Sequence, residues 1–132
     1  MTQGSVQSRW ALVVALMLGL SFAGCAATSS QGKPWHRLEM YFGAMPEKEW
    51  TDFMAQSITP HFPNGLTVLE GYGQWRDPAG KLFREDSRVL IVLHPDRAVA
   101  DRAAREVSTA FKARFHEESV LVVGQRAWVD FQ

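Results

Sequence analysis

The stretch Gly65-Leu-Thr-Val-Leu-Glu-Gly-Tyr-Gly-Gln-Trp-Arg-Asp-Pro-Ala-Gly-Lys-Leu-Phe-Arg-Glu-Asp-Ser-Arg-Val-Leu-Ile-Val-Leu-His94-Pro95 reads as one long β-hairpin. Its turn is Asp77-Pro78-Ala79-Gly80: Asp suits the first position of a type I turn, Pro presets φ at the second, and Gly takes the left-handed position that follows. A type I turn closed by a glycine bulge sets Asp77 against Lys81 and fixes the register from there. Trp75 then meets Phe83, Gly73 meets Glu85, Gly71 meets Ser87 and Leu69 meets Val89. On the alternate positions Gln74 meets Arg84, Tyr72 meets Asp86, Glu70 meets Arg88 and Val68 meets Leu90. The aromatic pair Trp75–Phe83 and the opposite charges Glu70 and Arg88 support this register, and a slip of one residue loses both.

The chain before the hairpin supplies a strand and a helix. From Trp35 to Phe42, Leu38, Met40 and Phe42 alternate with Arg37, Glu39 and Tyr41, the pattern of a half-buried strand. Pro46 suits a first helical turn, and Trp50, Phe53, Met54 and Ile58 then recur at helical spacing until Pro60 and Pro63 stop the helix. Glu47 and Glu49 near its start complement the helix dipole. After the hairpin, Asp96 caps a second helix running to about Phe115, with Ala100, Ala103, Ala104, Val107, Ala110 and Phe111 as its apolar stripe. The i,i+4 couples Asp101–Arg105 and Arg102–Glu106 fall on its wet side. Ser119 to Val123 is a last strand interrupted at Gly124, with Trp128, Val129 and Phe131 as an extension or a short extra strand.

Strand, helix, strand, strand, helix, strand is the βαββαβ plan of an α+β, ferredoxin-like domain: one four-stranded antiparallel sheet with two helices on one face. In that plan the second hairpin strand is central, and the first strand lies between it and the last. The arrangement Phe62-Pro63-x-Gly65-Leu66-Thr67, Gly71-x-Gly73-x-Trp75 and Glu85-x-Ser87-x-Val89 resembles the DUF3574 family of small exported bacterial proteins, over about Trp35 to Phe131. That family has no known function, so the resemblance implies no catalytic residue.

Residues 1–24 have the parts of a secretory signal: Arg9, the apolar run Trp10 to Leu20, then small residues. The apolar run is short for a spanning helix. Phe22-Ala23-Gly24-Cys25 resembles a bacterial lipobox, which implies lipidation at Cys25; Ala26 after the cysteine resembles the pattern of lipoproteins released to the outer membrane. The other reading of Cys25 is a buried or incidental thiol after an ordinary signal or an uncleaved anchor. Residues 25–34 form a lipidated cysteine and flexible tether, and residues 35–132 the folded domain. The expected location is therefore the cell envelope, at the outer membrane facing the periplasm.

The domain after the signal carries nearly balanced charge, without the positive field of a nucleic-acid binder. The single cysteine excludes an internal disulfide framework and a cysteine-based metal site. His36, His61, His94 and His116 lack paired ligand spacing, no Gly-x-Ser-x-Gly elbow surrounds Ser87, and Gly71-x-Gly73 lacks the helix of a nucleotide loop. No cofactor is expected.

Two surfaces of the hairpin remain. Gly71 and Gly73 leave a notch opposite Ser87 and Glu85, roofed by Trp75 and expected on the core face. It either holds a small polar ligand or lets a neighbour pack closely. On the expected open face, Glu39, Tyr41, Glu70, Tyr72, Gln74 and Arg88 mix with Leu90 and Val92. This is either a dimer or ligand surface or an ordinary solvated sheet. Trp75, Glu85, Ser87, Tyr41 and Tyr72 are accordingly the candidate ligand-binding residues. A non-catalytic binding or dimerising module and a small cofactor-independent enzyme around Glu85, Ser87 and Trp75 both fit. Expected partners are the membrane through the lipid, a second copy through the open face, and an unidentified protein or small molecule.

Overall fold

Alternation in the first strand and helical spacing in the two helices direct one set of apolar side chains into a common layer. The computed structural model describes residues 32–132; the signal segment, Cys25 and most of the tether lie outside the described residues. The elements are β1 (Lys33–Gly43), α1 (Glu47–Phe53), β2 (Thr67–Arg76), β3 (Leu82–His94), α2 (Arg97–Phe115) and β4 (Leu121–Val129). The sheet has four strands in the order β2-β3-β1-β4, every neighbouring pair antiparallel. This is the ferredoxin-like α+β topology that the sequence predicts. Lys33 and Pro34 belong to β1 and not to the tether.

The core lies between one sheet face and both helices. Leu38, Met40, Phe42, Leu90 and Val92 from the sheet meet Trp50, Phe53 and Ile58 from the first helical segment and Val107 and Phe111 from α2. Phe42 and Phe111 approach to 4.8 Å between ring centroids, and Phe53 stands edge-on to Phe111 at 5.5 Å. Such aromatic pairs add about 0.5–1.5 kcal/mol to what their burial contributes. α1 widens into a π-helical turn over Met54–Ile58, closed by the Thr59 N–H on the Met54 carbonyl at 2.8 Å; Pro60 then prevents continuation. Asp96 caps α2 by accepting from the Val99 N–H at 3.1 Å.

The hairpin register is the predicted one, from Trp75↔Phe83 to Val68↔Leu90. The turn closes as its residues require: the Asp77 N–H donates to the Lys81 carbonyl, the Gly80 N–H donates to the Asp77 carbonyl, and Gly80 has φ of 88°.

The facing of the hairpin is the reverse of the expectation. Leu90 and Val92 pair beside Met40 and Leu38 and are buried against the helices. Arg88, Glu70, Tyr72 and Gln74 follow them by parity onto the helix side, while Gly71, Gly73, Trp75, Glu85 and Ser87 fall on the open side with Glu39 and Tyr41. The β3 run from Val89 to Leu93 is apolar at every position, so alternation alone cannot orient it; pairing with β1 does.

Several side-chain pairings also differ. Arg88 leaves Glu70 and donates to the Met45 carbonyl at 3.2 Å and to Glu47 Oε2 at 2.6 Å, its guanidinium over the Trp50 ring. Asp101 pairs with Arg97 and His36 instead of Arg105, and Glu106 faces His61 instead of Arg102. β4 runs through Gly124 without a break.

Candidate functional surface

The open face is built on β1. Arg37, Glu39 and Tyr41 form a polar ridge along the strand. The Arg37 Nε donates to Glu39 Oε1 at 2.8 Å, and the Tyr41 hydroxyl donates to Glu39 Oε2 at 2.6 Å. Apolar rows flank the ridge. β3 sets Leu93, Ile91 and Val89 beside Arg37, Glu39 and Tyr41; β4 sets Val123 and Leu121 beside Glu39 and Tyr41. Leu69 extends the apolar surface onto β2 opposite Val89. Leu69 is 50% exposed and Leu121 61% exposed. Both helices lie on the opposite face, and among the described residues no element covers this one.

The ridge couples two titrations. The Tyr41 hydroxyl, and after it the Arg37 guanidinium, hold the Glu39 carboxyl below the usual glutamate range. The same hydrogen bond, with burial, raises the Tyr41 phenol above its usual range. A depressed carboxylate adds stability above its unfolded value and loses it as pH falls through the folded one. The urea midpoint of Glu39→Gln is therefore expected to trail the native protein most near neutrality. The gap should narrow as pH falls below the ordinary value of 4.5. A gap constant from neutral to acid pH would show that the carboxylate is not engaged in this way.

Of the candidate ligand-binding residues, Trp75, Glu85, Ser87 and Tyr41 share the open side, whereas Tyr72 lies on the other side of the sheet. The glycine notch is filled by the hairpin's own side chain: a Cβ at Gly71 would stand 2.8 Å from Ser87 Oγ. Gly73 is under no such pressure, since a Cβ there would make only ordinary contact with Glu85. Trp75 does not roof the notch; it stacks on Phe83 at 4.4 Å with 10° between planes. Glu85 stands exposed. Among the described residues no group of three or more His, Cys, Asp or Glu side chains is placed to hold a metal ion.

Sequence reasoning missed the cluster at the other end of the sheet, where His36 lies between His94 on β3 and Arg126 on β4. Its Nε2 is 3.2 Å from Asp101 Oδ1, close enough for an ion pair when protonated but outside hydrogen-bond geometry. Histidine at an inward position of β1 was the available signal.

The architecture defines a ferredoxin-like α+β domain with one helix-covered and one open sheet face. The chain belongs to the family described as a protein of unknown function, DUF3574, whose model matches residues 37–131. No curated protein matches the chain. Among solved structures it is similar to a phage SAM lyase in complex with S-methyl-5'-thioadenosine, with a TM-score of 0.55 and 16% identity over 69% of this chain and 80% of that one. At that identity the likeness concerns the fold.

Proposed function

We propose that the protein is a lipid-anchored envelope module, held by acylated Cys25, that acts by non-catalytic binding and pairs with a second copy through its open sheet face. The observation that carries the reading is the uncovered apolar surface of Leu69, Val89, Ile91, Leu93, Leu121 and Val123 around the Arg37–Glu39–Tyr41 ridge. Contiguous apolar surface of this kind marks interaction sites, and a mixed apolar and tyrosine-bearing patch suits a protein interface. The ridge carries one cation and one anion, so a two-fold related copy meets it without net repulsion. Among the described residues no helix is long and apolar enough to cross a membrane.

The enzyme alternative draws less support. Glu85 and Ser87 share a face with Trp75, but the hydroxyl fills the notch, the carboxylate stands in water, and the indole is stacked on its neighbour.

Intact mass of the chain extracted from its own envelope tests the anchor: the expected N-terminus is acylated Cys25, and an unmodified thiol overturns it. Sedimentation of Gln31–Gln132, which forms a compact unit, tests the pairing. Replacing both Leu121 and Val123 by Asp is expected to weaken dimerisation by about 100-fold, as for loss of a hot spot of roughly 2–3 kcal/mol. Both side chains are exposed, so folding should change little. A strictly monomeric native domain at high concentration would sink the pairing.

A further inference from the structure

The starts of β1 and β2 and the ends of β3 and β4 all meet at one end of the sheet. The chain also enters there. Gly32 is pressed against the backbone of Val129, where a Cβ would stand 2.9 Å from the carbonyl oxygen. Six residues lie between Cys25 and Gly32, so the seven Cα–Cα steps reach at most about 25 Å. This end carries two of the most exposed large apolar side chains: Trp128 at 59% and Phe131 at 79%. Phe131 leans on Trp35, with centroids 5.6 Å apart. Together with Leu66, Ile91 and Leu93 the pair walls a half-open apolar cleft of about 530 Å³. A second cleft, of about 470 Å³, is bordered by Pro34, Arg97, Arg126 and Trp128.

We propose that this end docks on the bilayer that holds the anchor, with Trp128 and Phe131 seated at the headgroup level. The inference rests on the anchoring of Cys25 proposed above. Aromatic side chains favour the membrane interface because their rings leave water while the indole N–H keeps a polar partner. The cations Lys33, Arg97 and Arg126 at this end are offset by Asp96, Asp101 and Asp130, and Asp101 is already paired with Arg97. Contact is therefore driven by apolar area and depends little on salt. A two-fold axis parallel to the strands would place both copies of a face-to-face pair with this end on the same membrane.

The chain from Cys25 to Gln132, coupled through its only cysteine to a maleimide lipid, provides the test. The vesicles are phosphatidylethanolamine and phosphatidylglycerol with brominated acyl chains. Bromolipid is expected to quench the native tryptophan fluorescence, Trp128→Phe and Trp35→Phe each to remove part of that loss, Trp75→Phe beside the hairpin turn to remove none of it, and added salt to leave it unchanged. Phe131→Asp, at an exposed position, is expected to reduce the quenching while the far-ultraviolet spectrum is retained. No quenching, or quenching that Trp75→Phe lowers as much as Trp128→Phe does, overturns the docking. Unmodified Cys25 in the cell overturns the anchor by a separate measurement. Acylated Cys25 with unquenched Trp128 overturns the docking alone.

Discussion

Phe111→Ala is expected to cost about 3–5 kcal/mol, the range for removing a buried aromatic ring. Phe111 is 1% exposed and joins three elements: its ring meets Phe42 of β1 at 4.8 Å, Phe53 of α1 at 5.5 Å, and Phe115 of its own helix at 4.9 Å. Truncation removes these contacts at once. The hole cannot collapse easily, because its walls are themselves large rings held by β1 and by the two helices. A domain of this size has about 5–15 kcal/mol in all, so the variant would lose a large fraction of its stability. The melting temperature should fall by roughly 4–8 °C for each kcal/mol. Phe131→Ala, at a ring 79% exposed, should stay within about 0.5 kcal/mol of the native protein, which separates loss of the core from loss of an aromatic residue as such. A Phe111→Ala melt within about 2 °C of native would mean that the helices do not close on β1 through this cluster.

The hairpin was legible in detail because local chemistry fixed it. Asp77, Pro78 and Gly80 select the turn, the turn sets the register, and Trp75 stacks on Phe83 as that register requires. Which way the hairpin faces was not legible from its own strands. Val68 and Leu90 occupy one parity and Leu69, Val89 and Ile91 the other, so both faces read as apolar. Only pairing between β1 and β3, distant in sequence, gives Leu90 and Val92 to the core through Met40 and Leu38. The glycines added to the inversion, since a strand glycine suggests close approach by a packed neighbour, whereas the neighbour at Gly71 is the cross-strand Ser87. Charge pairing was legible only as far as geometry is local. Glu70 does stand opposite Arg88, but Glu47 at the start of α1 and the Met45 carbonyl draw the guanidinium away. His36 likewise takes Asp101 as its neighbour across the gap between β1 and α2, a contact no i,i+4 spacing records. The candidate surface was half legible: Glu39 and Tyr41 were assigned to the open side from β1 alone, and their apolar neighbours on β3 were not.

Gly124 makes the same point from the other edge of the sheet, and replacing it should reverse an intrinsic preference. A glycine inside a strand costs roughly 0.5–1 kcal/mol relative to alanine, so Gly124→Ala taken alone ought to stabilise β4. The structure predicts the opposite sign. A Cβ at this position would lie 2.7 Å from His36 Cε1 and 2.9 Å from His36 Nε2, closer than such atoms can stand. His36 is 7% exposed and has Asp101 3.2 Å from its Nε2, so its ring has little room to turn aside. Either the ring abandons Asp101 or β4 shifts off β1, and overpacking of this kind costs about 1–3 kcal/mol. In a His36→Ala background the obstruction is gone, and Gly124→Ala should then stabilise by a few tenths to about 1 kcal/mol. The two sites should therefore show a coupling of at least about 1 kcal/mol in a double-mutant cycle read by urea unfolding. Stabilisation by Gly124→Ala in the native background would show that the ring moves away freely. Because β4 also carries Leu121 and Val123 on the open face and Trp128 at the tether end, a strand displaced by Gly124→Ala should weaken self-association and lipid contact together, while adding His36→Ala restores both.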